Sequence, residues 1–500
     1  MSRPAASIPA VRRPGAVSRA LARDRLGIVA VLLFVSASVA PLTVAAGLIP
    51  AAYATTGLTG LPAAFIAIGV ILGLFAVGFL AMTRHIRNAG AFYAFVTRGL
   101  GRPAGVAAAL VALVSYCFLQ VALYGALGPA AGAEAAAHLG VHAPWWAWAL
   151  AAWGLVTVLG QLRVDITGKV LGVLLTAEII AAVAESAAGL ARPAGGHLSF
   201  AALSPAGLAS AGPGAFGVLA VVAVLGFVGF EQAPVLAEEA RNTMRTIPRA
   251  TYAAIAMITV LYAGASWAMA AHAGASHVAA AAGREGPGLL FSLAGAGVLP
   301  QAAQLLFVTS LFAAALAFHN VVWRYMFSLG RERVLPAALG RTSGSGFPRA
   351  ASLTQSAIGL AVIVVYAIAG WNPMADLFLW LGTTGGFGVL LLLAATSTAV
   401  IAFFARDHRG EATWPRLAAP ALALVALGAV IVLAVTHYAA LLGTPPGDPA
   451  TWALPASYAI MAAVGAAWAA TLRARRPRVY DAIGLGAPAA EAAAAGKAGA

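Results

Sequence analysis

Residues 216–247 read FGVLAVVAVLGFVGFEQAPVLAEEARNTMRTI, and this stretch decides how the rest of the sequence is interpreted. It begins as an apolar helix, but Gly226 and Gly229 interrupt it, and Glu231 and Pro234 follow at once. A helix in lipid must satisfy its own backbone hydrogen bonds. Two glycines and a proline beside an acid therefore suit a helix that unwinds and turns its free ends towards a ligand or ion. The alternative is a glycine-rich packing face with a Glu231 side chain that reaches towards the membrane surface.

The composition indicates a membrane protein. The chain has 500 residues, of which 61% are hydrophobic and 9% charged, and its mean hydropathy is +0.89. Apolar runs of about 20 residues recur, and each is long enough to cross a bilayer. The net charge of +14 does not indicate nucleic-acid binding, because the basic residues are spread between the apolar runs. The single cysteine, Cys117, excludes an intramolecular disulfide and a cysteine-cluster metal site.

The apolar runs predict an all-α polytopic membrane protein with about twelve transmembrane helices. Loops after odd-numbered spans contain only Arg192 and Arg284. The other 28 of the 30 Lys and Arg residues belong to the loops after even-numbered spans and to the termini. Because basic loops stay in the cytoplasm, both termini are expected there. The predicted spans cover about 26–54, 60–83, 103–132, 144–162, 166–190, 216–247, 248–272, 298–330, 350–370, 376–405, 417–442 and 452–472.

The predicted organisation has four parts. Residues 1–25 form a cytoplasmic amino-terminal tail, and residues 26–405 form a transport core of ten helices. Residues 406–472 add the last two helices, and residues 473–500 form a disordered cytoplasmic tail rich in alanine. A short amphipathic segment, residues 84–96, is expected at the inner membrane surface.

A second interruption is predicted in span 1, at Ser36-Ala37-Ser38-Val39-Ala40-Pro41. It lies five spans before the interruption in span 6. Paired interruptions at matching positions of two halves point to a substrate site in transporters built from inverted repeats. Spans 1–5 and 6–10 would form these repeats. The aromatic rings beside the glycines can either close over a substrate or simply pack. The candidate substrate-binding residues are Ser36, Ser38, Val39, Pro41, Gly226, Phe227, Val228, Gly229 and Phe230.

Acids at membrane depth are the candidates for coupling and gating. Glu178 lies within an apolar run, where an unpaired carboxylate costs a few kcal/mol. It either takes up a proton, as a proton-coupled carrier requires, or makes a structural hydrogen bond to a neighbouring helix. Glu231 can bind a substrate ammonium, relay a proton or connect two helices. Glu185 follows Glu178 by two turns, closer to water, and a structural role is expected there.

Other polar residues in apolar runs have simpler explanations. Glu238 and Glu239 are expected to form an inner-gate or loop salt-bridge cluster with nearby arginines. The pair His319-Asn320 either lines the cavity or makes an interhelical hydrogen bond. Thr383 and Thr384 lie between glycines, which indicates helix contact or a cavity wall.

Three motifs resemble the amino acid–polyamine–organocation permeases. The first is Gly226 to Glu231 with its continuation through residues 238–250, which is similar to the sixth-span signature of that family. The second is NAGAFY at residues 88–93, and the third runs from Arg324 to Pro336. The resemblance covers about residues 26–472.

The resemblance implies a leucine-transporter-like fold, with two inverted five-helix repeats and with helices 1 and 6 broken. It implies that backbone groups of both broken helices hold the substrate and that Glu231 acts in gating and proton response. The first break departs from the family, since residues 36–41 lack the glycines whose amides bind a carboxylate, and an amine is a possible substrate. Certain members carry a lysine near Glu178, so the coupling ion is not implied.

The sequence thus predicts a secondary active transporter for an amino acid or related amine in the cytoplasmic membrane. Its partners would be that small molecule, protons and the lipid bilayer, and the chain would be a monomer or homodimer. An uncoupled exchanger and a transporter-like receptor are the alternatives. No Walker loop or nucleophile elbow is present, and no enzyme activity, cofactor, metal or nucleic-acid partner is expected.

Overall fold

The computed structural model describes residues 26–86, 92–161, 164–204, 212–236, 240–343, 346–445 and 447–486. These residues form helices, with one isolated backbone bridge between Leu26 and Ala240 as the β pairing among them. The predicted amino-terminal tail, part of the NAGAFY motif, the end of the carboxyl-terminal tail, and Glu238 with Glu239 lie outside the described residues.

Nine helices in the described part of the chain are long and apolar enough to cross a bilayer, and two shorter apolar helices accompany them. The chain is therefore an all-helical, multi-pass membrane protein. The α-helices of the described residues are α1 Ile28–Val39, α2 Ile49–Thr56, α3 Leu61–Thr83, α4 Phe92–Leu100, α5 Arg102–Leu139, α6 Trp145–Leu159, α7 Val164–Ala191, α8 Gly212–Phe227, α9 Thr243–Ala273, α10 Val278–Glu285, α11 Gly288–Phe291, α12 Val298–Arg331, α13 Arg349–Ala369, α14 Trp380–Arg406, α15 Ala419–Thr436, α16 Tyr438–Leu442, α17 Ala450–Arg475 and α18 Pro477–Ala482.

The first apolar run is interrupted near the predicted place. Helix α1 ends at Val39, and Ala40 adopts a φ of 52°, which is rare for a residue with a side chain. The next residue, Pro41, has no backbone N–H and cannot continue the hydrogen-bond ladder of α1. The chain then resumes as a π-helical segment, π1, at Thr43–Leu48, which leads into α2.

The sixth apolar run is interrupted as well. Helix α8 ends at Phe227, and Gly229 adopts a φ of 121°, a conformation that favours glycine. A 3₁₀ segment, Phe230–Leu236, follows. A second π-helical segment, π2, at Pro373–Leu379, precedes α14, and the Asn372 side chain caps its first turn by accepting hydrogen bonds from two backbone amides.

Helix α5 is longer than the predicted span of residues 103–132. It runs for 38 residues, about 57 Å, and ends where Gly140 takes a left-handed conformation. The length of the apolar run does not determine the carboxyl-terminal end of α5. The helix continues beyond the apolar run through Ala-rich turns, because alanine favours helix outside the hydrocarbon as well. Its two ends consequently lie at opposite faces of the molecule.

The expectation of a disordered tail is wrong for residues 477–486. Both carboxylate oxygens of buried Glu332 accept backbone hydrogen bonds from this segment, one from Gly484 at 2.8 Å and one from Gly486 at 2.7 Å. Tyr93 of α4 also donates to Glu332, and burial together with that carboxylate raises the pKa of Tyr93 well above its usual value. A buried carboxylate thus orders a segment whose own composition predicts disorder.

Candidate functional site

The two interruptions lie against each other. A methyl group on Gly229 would lie 2.9 Å from the carbonyl carbon of Ser38 and 2.9 Å from the nitrogen of Val39. The Tyr262 hydroxyl of α9 donates a 3.3 Å hydrogen bond to the Val39 carbonyl, a group that the broken helix α1 leaves unused. Close backbone approach at Gly229 therefore brings the two broken runs to one place.

A small cavity lies beside this contact. Its volume is about 110 Å³, and its walls are almost entirely apolar. Both interrupted runs contribute to it, together with α5, α12, π2 and α14. The lining residues are Ser38, Val39, Ala40, Thr43, Val44, Leu48, Leu119, Leu123, Leu225, Val228, Ala314, Phe318, Phe378, Leu379, Gly382 and Thr383.

Glu231 stabilises the interruption of the sixth run. One carboxylate oxygen accepts a hydrogen bond from the Gly229 amide at 2.8 Å, and the other accepts one from the Tyr116 hydroxyl of α5 at 2.7 Å. The Gly229 amide follows the last turn of α8, so the carboxylate replaces a helical acceptor that the unwound chain cannot supply. Glu231 thereby connects the broken helix to α5.

We expect Glu231→Ala to lower the free energy of unfolding by about 1–3 kcal/mol, the usual cost of a buried donor without a partner. Glu231→Gln should cost less, because its amide oxygen can still accept from Gly229 while the Tyr116 hydroxyl rotates to accept from the amide NH₂. Thermal unfolding of the purified variants in detergent measures this order. Equal losses for both variants would contradict the assigned hydrogen bonds.

The Glu178 side chain extends from α7 to the start of the second half of the first run. Its carboxylate lies beside the Ser310 hydroxyl of α12 and the Leu42 backbone amide, two groups that can donate to it. Ser310 in turn accepts from the Thr43 amide at 3.2 Å and from the Thr43 hydroxyl at 3.1 Å. The first free amides after the break, those of Leu42 and Thr43, thus face side chains of α7 and α12. One Glu178 oxygen has no hydrogen-bond partner among the described residues.

The structure separates the predicted substrate-binding residues into two groups. Ser38, Val39 and Val228 line the cavity, whereas Ser36, Pro41, Gly226, Phe227, Gly229 and Phe230 do not. The rings of Phe227 and Phe230 pack against aromatic residues of α3, with centroid distances of 6.3 Å to Phe65 and 6.1 Å to Phe75. Their geometry fits the packing alternative, because neither Phe227 nor Phe230 lines the cavity.

Apart from Thr383, the remaining polar candidates in the described residues make structural contacts. His319 forms a 3.0 Å hydrogen bond with the Ser352 hydroxyl of α13, in agreement with the interhelical alternative. Thr383 lines the cavity, whereas the Thr384 hydroxyl accepts from Tyr438. Glu185 accepts a 3.0 Å hydrogen bond from a backbone amide.

Sequence reasoning missed Tyr116, Tyr262 and Ser310, each of which holds one of the interruptions or its acid. All three are buried. Their signal in the sequence is weak, because tyrosine and serine are common in apolar helices and only the tertiary structure places them at the breaks. A hydroxyl-bearing residue on the helix opposite each break is the pattern that could have found them.

Comparison with known proteins shows the family of this chain. The sequence profile described as "Amino acid permease" matches residues 30–476, a range that includes both interruptions and every residue that lines the small cavity. This chain belongs to the amino acid permease family. The resemblance expected from the motifs is confirmed at this level, and the permease is a multi-pass membrane protein.

A curated relative of this permease is the branched-chain amino acid permease BcaP of Lactococcus lactis subsp. cremoris. The two sequences are 25% identical over 154 residues. The aligned part covers 31% of this permease and 31% of the relative's length. The similarity therefore concerns about a third of each chain.

Proposed function

We propose that this permease is a secondary transporter that carries an amino acid with an aliphatic side chain across the cell membrane by alternating access. The apolar cavity at the meeting point of two broken helices carries the proposal, because such walls accept an aliphatic side chain and reject a charged one. Family membership and the branched-chain specificity named for the relative support it. An amine substrate is less favoured than an amino acid.

We also propose the topology of twelve spans. The nine long helices, the two shorter apolar ones and the interrupted run of α1, π1 and α2 add up to that number. Residues 26–405 would hold two inverted repeats of five spans, residues 406–472 the last two, and both termini would be cytoplasmic. Interruptions in the first and sixth runs support this arrangement, since they stand at matching positions of the two halves.

Coupling to protons is proposed through Glu178, with Glu231 as the second candidate. Glu178 contacts Leu42 directly and Thr43 through Ser310. A change in its charge would therefore alter the hydrogen bonds at the start of π1, beside the cavity wall. Glu231 is held by two donors on two elements, so a proton there would loosen the other interruption.

Uptake by proteoliposomes tests the proposal. Purified protein should accumulate leucine or valine several-fold better with an inward proton gradient, and should not accumulate lysine or glutamate. Glu178→Gln should lose the response to the gradient but keep counterflow of labelled leucine. Glu185→Gln is the matched control, since it lies seven residues along the same helix and its amide oxygen can keep the bond from Ala294.

Several outcomes would contradict parts of this proposal. If uptake does not depend on the proton gradient and Glu178→Gln behaves like the wild type, the proposal of proton coupling is wrong. An exchanger of the same fold is then the remaining explanation. Leucine binding without any transmembrane flux indicates a receptor. Uptake of amines or charged amino acids in preference to leucine contradicts the assignment of substrate class.

A further inference from the structure

A second cavity lies at the face of the molecule opposite to the carboxyl-terminal segment. It has a volume of about 760 Å³ and is called the vestibule here. Its walls come from the second half of the first run, the far half of α5, the α10–α11 region, the start of α12, and π2. The residues that line it include Ala130, Glu134, Phe291, Phe307, Phe378 and Leu379.

The vestibule adjoins the small cavity. Phe378 and Leu379 line both spaces and therefore lie between them. The dividing wall is built from the two π-helical segments, because π1 and π2 each contribute residues to both cavities. Such segments are rare in proteins and are frequently found at functional sites. Gly125 lets π2 pack directly on α5, since a methyl group there would lie 2.4 Å from the Pro373 carbonyl oxygen.

Glu134 is the single charged residue among those that line the vestibule. Its side chain is 20% exposed, and one carboxylate oxygen is buried without a hydrogen-bond partner in the described part of the chain. His138, one turn further along α5, places Nε2 at 3.3 Å from that oxygen but without hydrogen-bond geometry, and its own side chain is 58% exposed. A carboxylate in apolar surroundings is costly unless a cation or a donor meets it.

We propose that the Glu134 carboxylate binds the ammonium group of the amino acid in the vestibule, before the substrate passes Phe378 and Leu379. The aliphatic side chain of the substrate would lie against the alanine and phenylalanine walls, which offer it no polar partner. Glu134 is then a substrate-binding residue separate from the small cavity. The inference rests on the proposed transport of amino acids, since it assigns the first binding step of that same path.

Leucine uptake by the full chain in proteoliposomes tests the site. Glu134→Gln should raise KM for leucine about fivefold or more, equivalent to about 1 kcal/mol, with kcat within about twofold, because binding is weakened before the wall opens. Glu134→Asp should recover part of the affinity. His138→Ala should leave KM unchanged or lower, since it removes a competitor for the carboxylate.

Glu285→Gln is the matched control. It removes one negative charge at the same face, from a side chain that does not line the vestibule and that is bonded to Ser292. Its KM should equal the wild-type value, and both variants should keep the wild-type unfolding temperature. Equal KM values for Glu134→Gln, Glu285→Gln and the wild type would overturn the vestibule site alone. Wild-type protein that takes up no amino acid would instead overturn the proposed function.

Discussion

Replacing Gly229 with alanine is expected to abolish transport, because the new methyl group would occupy the contact between the two broken runs. It would lie 2.9 Å from backbone atoms of both Ser38 and Val39, and a backbone cannot move aside as a flexible side chain can. The φ of 121° adds about 1–3 kcal/mol of strain for any residue other than glycine. Leucine uptake by reconstituted protein should fall below about a hundredth of the wild-type rate.

Two other glycines provide graded controls. In Gly226→Ala the methyl group would meet side-chain atoms of Phe65 at 2.9 Å and Val44 at 3.3 Å, which can shift, so a partial loss is expected. Gly73 of α3 has nothing within 4 Å of its added methyl group, and Gly73→Ala should transport normally and unfold at an equal or higher temperature. Normal transport by Gly229→Ala would show that the contact between the breaks is not needed.

Replacing Glu332 with alanine is expected to destabilise the protein by about 3 kcal/mol or more, since buried donors of Gly484, Gly486 and Tyr93 would each lose an acceptor. The segment of residues 477–486 should then detach. Hydrogen exchange followed by mass spectrometry should show faster exchange at these residues, while helices α13 and α17 keep their protection. Slow exchange of residues 477–486 in the alanine variant would contradict this arrangement.

An exposed ion pair of this segment serves as the control. Asp481 forms a 3.1 Å ion pair with Arg102, but the two side chains are 69% and 37% exposed. Exposed ion pairs contribute little, so Asp481→Asn should unfold and exchange like the wild type. A large effect of Asp481→Asn together with none for Glu332→Ala would mean that the surface pair, and not the buried carboxylate, holds the segment.

Much of the fold could be predicted, since membrane helices are encoded locally. Apolar runs of sufficient length indicate spans, and a glycine pair with proline, or serines with proline, indicates where a helix cannot continue. Both interruptions were found from these signals, at Pro41 and at Gly229. Helix ends were less predictable, as α5 shows, because propensity carries a helix beyond the hydrocarbon.

The candidate site was predicted only in part. The motif at residues 226–230 lies beside the small cavity, but the rings of Phe227 and Phe230 pack against α3, and Val228 and Leu123 of α5 form part of the cavity wall. The direction in which a side chain points at a break depends on which neighbour fills the other side. That information lies in distant segments, so the local motif does not contain it.

By itself the sequence determined that this chain is a helical membrane protein of the permease type, with two broken runs and acids at membrane depth. The length of an apolar run and the presence of helix-breaking residues are local signals. Both can be read from consecutive residues, because they act over a few helical turns. Only the tertiary structure decided that Gly229 meets Ser38 and Val39, that Tyr116, Tyr262 and Ser310 hold the broken ends, and that Glu332 orders the carboxyl-terminal segment. Each of these contacts joins residues far apart in the chain, and it forms because a buried polar group must find a partner wherever packing supplies one.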